Sequence, residues 1–120
     1  MSKNYMSKND ELRKGDYLMS NNGQWKAVFQ NDGNFVVYGW KPTWASNTCG
    51  SDVIRLVMQK DCNLVMYNEN NQPRWATGTN TPPKDGYHVC RLYLSDEGIL
   101  HLSEDSQELW KSTKPTDHKS

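Results

Sequence analysis

Polar and apolar residues alternate with a period of two over short stretches of this chain, and the alternation recurs. From Gln30 to Tyr38 one side carries Gln30, Asp32, Asn34, Val36 and Tyr38, and the other carries Asn31, Gly33, Phe35 and Val37. Successive side chains of a strand point to opposite faces, so a period of two predicts β-strands. The β-branched and aromatic residues in the stretch agree. Gly33 and Asn34 supply turn chemistry inside it. Further turn signals fall at Asn22-Gly23, Lys41-Pro42, Asn71-Gln72-Pro73, Pro82-Pro83 and Asp85-Gly86. No segment carries a helical period, so the expected class is all-β.

The stretch is also repeated. FQNDGNFVVY (Phe29–Tyr38), MQKDCNLVMY (Met58–Tyr67) and YLSDEGILHL (Tyr93–Leu102) share one pattern. Each is followed by a tryptophan with a short polar tail: WASNT at Trp44, WATGT at Trp75 and WKST at Trp110. A period of about 30 to 35 residues marks a repeat architecture. One tryptophan at the same place in each unit predicts approximate three-fold symmetry, with Trp44, Trp75 and Trp110 meeting near the axis. Aligned on that pattern, the third unit has Leu94, Gly98, Leu100 and Leu102 where the others have Gln, Asn, Val and Tyr. Only Asp96 is retained, so the unit is expected to serve architecture alone. The expected organisation is a polar N-terminal segment at 1–10, one domain at 11–112 and a polar tail at 113–120.

Composition narrows the functional classes. A length of 120 residues fits one domain. Lys+Arg and Asp+Glu both number 14 and the pI is near 6.8, which leaves no electrostatic footprint for nucleic acid or an anionic membrane. Hydrophobic content of 35% and a mean hydropathy of -0.92 allow only a modest core, to which the aromatic residues must contribute much. No run approaches the ~18 apolar residues of a membrane span, so no membrane insertion is expected. The opening MSKNYMSKND lacks the apolar region of a signal peptide. The expectation is that the chain is a mature or recombinant form, or stays inside the cell, or leaves by an unconventional route. Cys49, Cys62 and Cys90 form no metal-binding spacing, and one disulfide plus one thiol is the simplest arrangement in an oxidising environment. His88, His101 and His118 are too scattered for a metal site. No carboxylate pair or G-x-S-x-G motif proposes catalysis, so neither an enzyme nor a cofactor is expected. Trp40 is expected to pack as a core or staple residue, the alternative being a stacking surface for a ligand.

The repeated strip has chemistry of its own. Gln30, Asp32, Asn34 and Tyr38, with Val36 between them, share one face and are expected to face solvent. The second unit reproduces all five residues as Gln59, Asp61, Asn63, Val65 and Tyr67. A solvated face has no reason to repeat the same side chains. Amides, a carboxylate and a phenol around a small apolar patch match a polyhydroxylated ring with its C–H groups. Such recognition needs no metal and no titrating group.

The pattern Q-x-D-x-N-x-V-x-Y, repeated with a Trp-Ala-Ser/Thr tail, resembles the bulb-type (monocot or snowdrop-type) mannose-binding lectins, a family with versions in fish skin mucus. The resemblance spans roughly Asp10 to Thr113 and implies a β-prism II fold of three four-stranded sheets around a pseudo-three-fold axis. It assigns the axial 2-hydroxyl of mannose to Asp32 and Asn34, and to Asp61 and Asn63. It gives the 3-hydroxyl to Gln30 and Gln59, the 4-hydroxyl to Tyr38 and Tyr67, and the ring face to Val36 and Val65. It further implies a disulfide between Cys62 and Cys90, with no counterpart for Cys49. Binding of mannose-containing glycans, agglutination, defence, a mucus or extracellular location and a homodimer follow as expectations; plant relatives exchange a C-terminal strand, here the segment around Leu109–Ser112. A prism-fold module that recognises protein instead of sugar is the competing expectation.

Overall fold

The computed structural model describes residues 3–113, and its period-two stretches form strands. Their order is β1 (Tyr5–Ser7), β2 (Glu11–Arg13), β3 (Tyr17–Met19), β4 (Lys26–Phe29), β5 (Phe35–Tyr38), β6 (Pro42–Ala45), β7 (Val53–Met58), β8 (Leu64–Asn68), β9 (Pro73–Ala76), β10 (Cys90–Leu94), β11 (Leu100–Glu104) and β12 (Gln107–Lys111). They build three four-stranded antiparallel sheets, β3-β4-β5-β6, β2-β7-β8-β9 and β1-β10-β11-β12. Each sheet is therefore one sequence repeat plus one short strand from the stretch Tyr5–Met19. The β-prism II architecture expected of the sequence is the one observed, with no helix among the described residues.

The expected domain boundary at residue 11 lies inside the folded unit. β1 pairs with β10, Met6 is 1% exposed, and the Asn4 carbonyl accepts the Leu94 N–H at 2.7 Å. A three-residue strand needs only one inward side chain to be anchored, so its composition reads as polar. Residues 1, 2 and 114–120, which include His118, lie outside the described residues.

Alternation sends one side chain of every pair inward. Phe29, Phe35 and Val37 from the first sheet, Met58, Leu64 and Met66 from the second, and Leu94, Leu100 and Leu102 from the third are all buried at 0% exposure. Each such side chain contributes about 1.5–3 kcal/mol on leaving water. Trp44, Trp75 and Trp110 sit across the strands from Val37, Met66 and Leu102. Their rings meet edge to face, with centroids 6.1, 5.6 and 6.3 Å apart. The shared tryptophan core expected from the repeat is present. A fourth indole, Trp25, wedges between the first and third units. A Cβ added at Gly39 or at Gly98 would lie 2.5 Å from its ring, so glycine is required at both.

The third repeat sits one residue away from the alignment that its sequence suggested. Ser95 N–H donates to Ile99 O and Gly98 N–H to Ser95 O, as Gln30 N–H donates to Asn34 O and Gly33 N–H to Gln30 O. Gly33, Cys62 and Gly98 hold the same left-handed turn at φ of 88°, 71° and 82°. Leu94, Leu100 and Leu102 are thus core residues equivalent to Phe29, Phe35 and Val37. With a period of two, a slip of one residue exchanges the buried face for the solvated one.

Candidate functional site

The strips Gln30–Tyr38 and Gln59–Tyr67 each start at the end of one strand, cross the turn and run up the next. Placed side by side, the two strips have nearly the same wiring. Gln30 Nε2 donates to both oxygens of Asp32 at 3.1 Å, and Asp32 Oδ1 accepts the Asn34 N–H at 3.0 Å. In the second strip Gln59 Nε2 donates to Asp61 Oδ1 at 3.1 Å, which also accepts the Asn63 N–H at 3.0 Å. The Tyr38 and Tyr67 hydroxyls donate to Gln30 Oε1 and Gln59 Oε1. Each strip is thus a closed chain, Tyr to Gln to Asp to backbone, that fixes its rotamers before anything binds.

The asparagines depart from expectation. Both are half-buried and not freely solvated. Asn34 Oδ1 accepts the Thr48 N–H at 3.1 Å and the Ser46 hydroxyl at 3.2 Å. Asn63 Oδ1 accepts the Thr77 hydroxyl at 3.1 Å, Gly78 N–H at 3.0 Å and Thr79 N–H at 3.2 Å. Ser46, Thr48, Thr77 and Thr79 are therefore supporting residues that the sequence reading did not assign. Their signal was the matched tails WASNT and WATGT. With Oδ1 engaged, each amide leaves its Nδ2 hydrogens without a protein acceptor among the described residues.

Val36 and Val65 form the floors of the strips and are 4% and 3% exposed. Val28 and Ala45 flank the first, Val57 and Ala76 the second. Arg55 lies over the Tyr67 ring with its guanidinium carbon 4.9 Å from the centroid. The first strip instead has Cys49 beside it, its Sγ 3.4 Å from Asp32 Oδ2. The Asn34 amide foremost, then the Gln30 amide, hold the Asp32 carboxyl below its ordinary range. The hydrogen bond to Asp32 pushes the exposed, unbridged Cys49 thiol up.

The third strip has none of this. In the correct register its residues are Ser95, Glu97, Ile99, His101 and Ser103, so all five positions have changed. Asp96, the one motif residue the sequence alignment retained in this unit, points elsewhere. Its Oδ1 accepts the Asn22 N–H at 2.9 Å and its carbonyl the Asn22 side-chain amide at 3.1 Å, tying the β3–β4 turn to the third unit.

Cys62 and Cys90 are bridged, as the family resemblance implied. Glu104 lies within 4.8 Å of the bridged sulfurs, but the sulfurs are committed to each other and Glu104 to Lys84 at 2.8 Å. Trp40 does not pack in the core. It is 99% exposed at the tip of the β5–β6 turn, while the ring of Trp25 packs against Gly39 and Gly98. Leu109 to Lys111 complete the chain's own third sheet by pairing β12 with β11.

Three sheets in a prism, two of them carrying the same hydrogen-bonding strip, are the architecture this chain shares with known lectins. The chain is 62% identical over 111 residues to the B-type lectin plumieribetin of Scorpaena plumieri, covering 92% of this chain and 96% of that one. The fold matches a monomeric monocot mannose-binding lectin from Gastrodia elata with a TM-score of 0.79, at 29% identity, covering 92% and 97% of the two chains. It matches the snowdrop (Galanthus nivalis) agglutinin solved with methyl-α-D-mannoside with a TM-score of 0.69, at 30% identity, covering 98% and 99%. No family model matches the chain. The chain belongs to the bulb-type, or B-type, lectin family, whose members bind carbohydrate and are not enzymes.

Proposed function

We propose that this lectin binds terminal mannose of glycans through two metal-independent sites, Gln30–Tyr38 and Gln59–Tyr67. The observation that carries the reading is the duplicated network, in which Asn34 and Asn63 each have one amide atom fixed by the protein and the other free. Asp32 and Asp61 accept sugar hydroxyls, the two Nδ2 groups donate to them, and Gln30, Gln59, Tyr38 and Tyr67 complete the rim. Val36 and Val65 meet the ring carbons over the small area they expose. The mannose-specific names of relatives such as those of Aloe arborescens and Galanthus nivalis favour mannose over other hexoses. A shallow site that exchanges water hydrogen bonds for protein ones gains little by itself. Two sites on one chain, doubled in a homodimer, gain avidity and crosslink glycans. Agglutination and defence at an extracellular or mucous surface are the roles this suits.

The test is retention on immobilised mannose in the presence of EDTA, followed by elution with methyl mannoside. No retention, or retention that needs calcium, would sink the proposal. The double variant Asn34→Asp, Asn63→Asp keeps both Oδ1 acceptors but removes both Nδ2 donors. It is expected to lose retention while its unfolding midpoint stays near that of the parent.

A further inference from the structure

The outer face of the third sheet is not a worn copy of the other two. Where they have Val28 and Val36, or Val57 and Val65, it has Tyr93 and His101, stacked with centroids 4.9 Å apart and planes 17° from parallel. Where they have Tyr38 and Tyr67 it has Ser103, directly across the strands from Arg91. Ser103, in place of that phenol, lines a cavity of about 490 Å³ together with Tyr5, Arg91, Tyr93, Asp105 and Glu108. Its size falls within the range of about 300–1,000 Å³ usual for small-ligand pockets.

The charges in this cavity are unevenly satisfied. Asp105 accepts His88 Nδ1 at 2.8 Å and the Val89 N–H at 3.0 Å, and Glu108 pairs with His101 Nδ1 at 2.6 Å. Arg91 lies with its guanidinium carbon 4.9 Å over the Tyr5 ring, and among the described residues it pairs with no carboxylate. The cation–π contact with Tyr5 holds the guanidinium at the cavity, and a guanidinium offers a fork of donors suited to a carboxylate. We propose that the cavity is a third ligand site, distinct in chemistry from the mannose sites, for a sugar that carries a carboxylate. Arg91 takes the carboxylate, Ser103 and Oε2 of Glu108 bond the ring hydroxyls, and the Tyr93 ring covers C–H groups. The carboxylates of Asp105 and Glu108 in the lining repel a dianion such as phosphate more strongly than a single delocalised charge, so among anions a sugar carboxylate is the least disfavoured there.

The proposal does not depend on mannose binding by the other sheets, and the test separates the two. Methyl β-D-glucuronide, the methyl α-glycoside of N-acetylneuraminic acid and the neutral methyl β-D-glucoside are titrated into the full chain and followed by NMR. At least one acidic probe is expected to bind, more weakly as salt is added, with the glucoside not binding. Arg91→Ala, and separately Ser103→Tyr, which restores the phenol of the other sheets, are each expected to weaken the acidic probe about tenfold or more. Both variants should keep the unfolding midpoint and the methyl mannoside response of the parent. The proposal fails if neither acidic probe binds, if the glucoside binds as well as the glucuronide, or if a folded Arg91→Ala or Ser103→Tyr variant binds the acidic probe like the parent.

Discussion

At the scale of single residues, the asparagines of the two strips carry the most consequence. Each amide has a buttressing oxygen and an outward nitrogen, so two substitutions at one position separate structure from recognition. Asn34→Asp removes the donor alone. Asn34→Ala also removes the acceptor of the Thr48 N–H at 3.1 Å and of the Ser46 hydroxyl at 3.2 Å, the latter keeping the Thr48 hydroxyl at 2.7 Å as a partner. Loss of a shared acceptor in a half-buried place costs about 1–3 kcal/mol. Urea unfolding should therefore show Asn34→Ala destabilised by about that amount, and Asn34→Asp much less. Equal stabilities would mean that the oxygen does not hold the loop. Cys49 adds an asymmetry between the strips, since its thiol engages Asp32 Oδ2 and Asp61 has no such neighbour.

Elements are joined by polar ties as well as by the sheet ladder. Asp52, just before β7, receives Arg74 Nε at 3.0 Å and Nη2 at 3.2 Å from β9, and Asn68 Nδ2 at 2.9 Å from the end of β8. Arg74 foremost, then Asn68, lower its carboxyl from 3.8 to about 2. A carboxyl whose folded value is depressed stabilises the fold above its unfolded value and loses that contribution as pH falls through the folded one. The unfolding midpoint is thus expected to fall between about pH 4 and pH 2, partly because of this group. Asp52→Asn should flatten that part of the profile; an unchanged acid slope would count against the tie. Because Asp52 is half-exposed, the effect is expected to be small and to shrink with added salt.

On the scale of the whole molecule, the prism is held at its axis by the tryptophans and across two units by the disulfide. Cys62 and Cys90 are 28 residues apart in sequence, and a bridge closing such a loop is worth about 3–4 kcal/mol in the chain-entropy account. The double variant Cys62→Ala, Cys90→Ala should lose about that much in denaturant unfolding. It should keep methyl mannoside binding at the first strip, which lies in a different sheet. The second strip is expected to loosen, because Cys62 is part of its turn at φ 71°. Equal loss at both strips would show that the bridge supports the prism as a whole and not one repeat.

The sequence by itself determined the repeated strands, the three repeats, the tryptophan core and the ten residues of the two strips. Period-two patterning and identical side chains at identical spacing are local properties, readable without coordinates. The register of the third repeat was decided only in three dimensions. YLSDEGILHL fits the pattern equally well by eye one residue off, and only burial of Leu94, Leu100 and Leu102 against the axis fixes which face turns inward. The same holds for β1, for Trp25 and not Trp40 packing against the core, and for Asn34 and Asn63 being anchored by their oxygens. In each case a partner distant in sequence supplies the energy that chooses between locally equivalent arrangements. The cavity around Arg91 belongs to this second kind as well. Ser103, which lines it on β11, stands where the other two sheets place a tyrosine, an equivalence the repeat reveals only once its strands are paired.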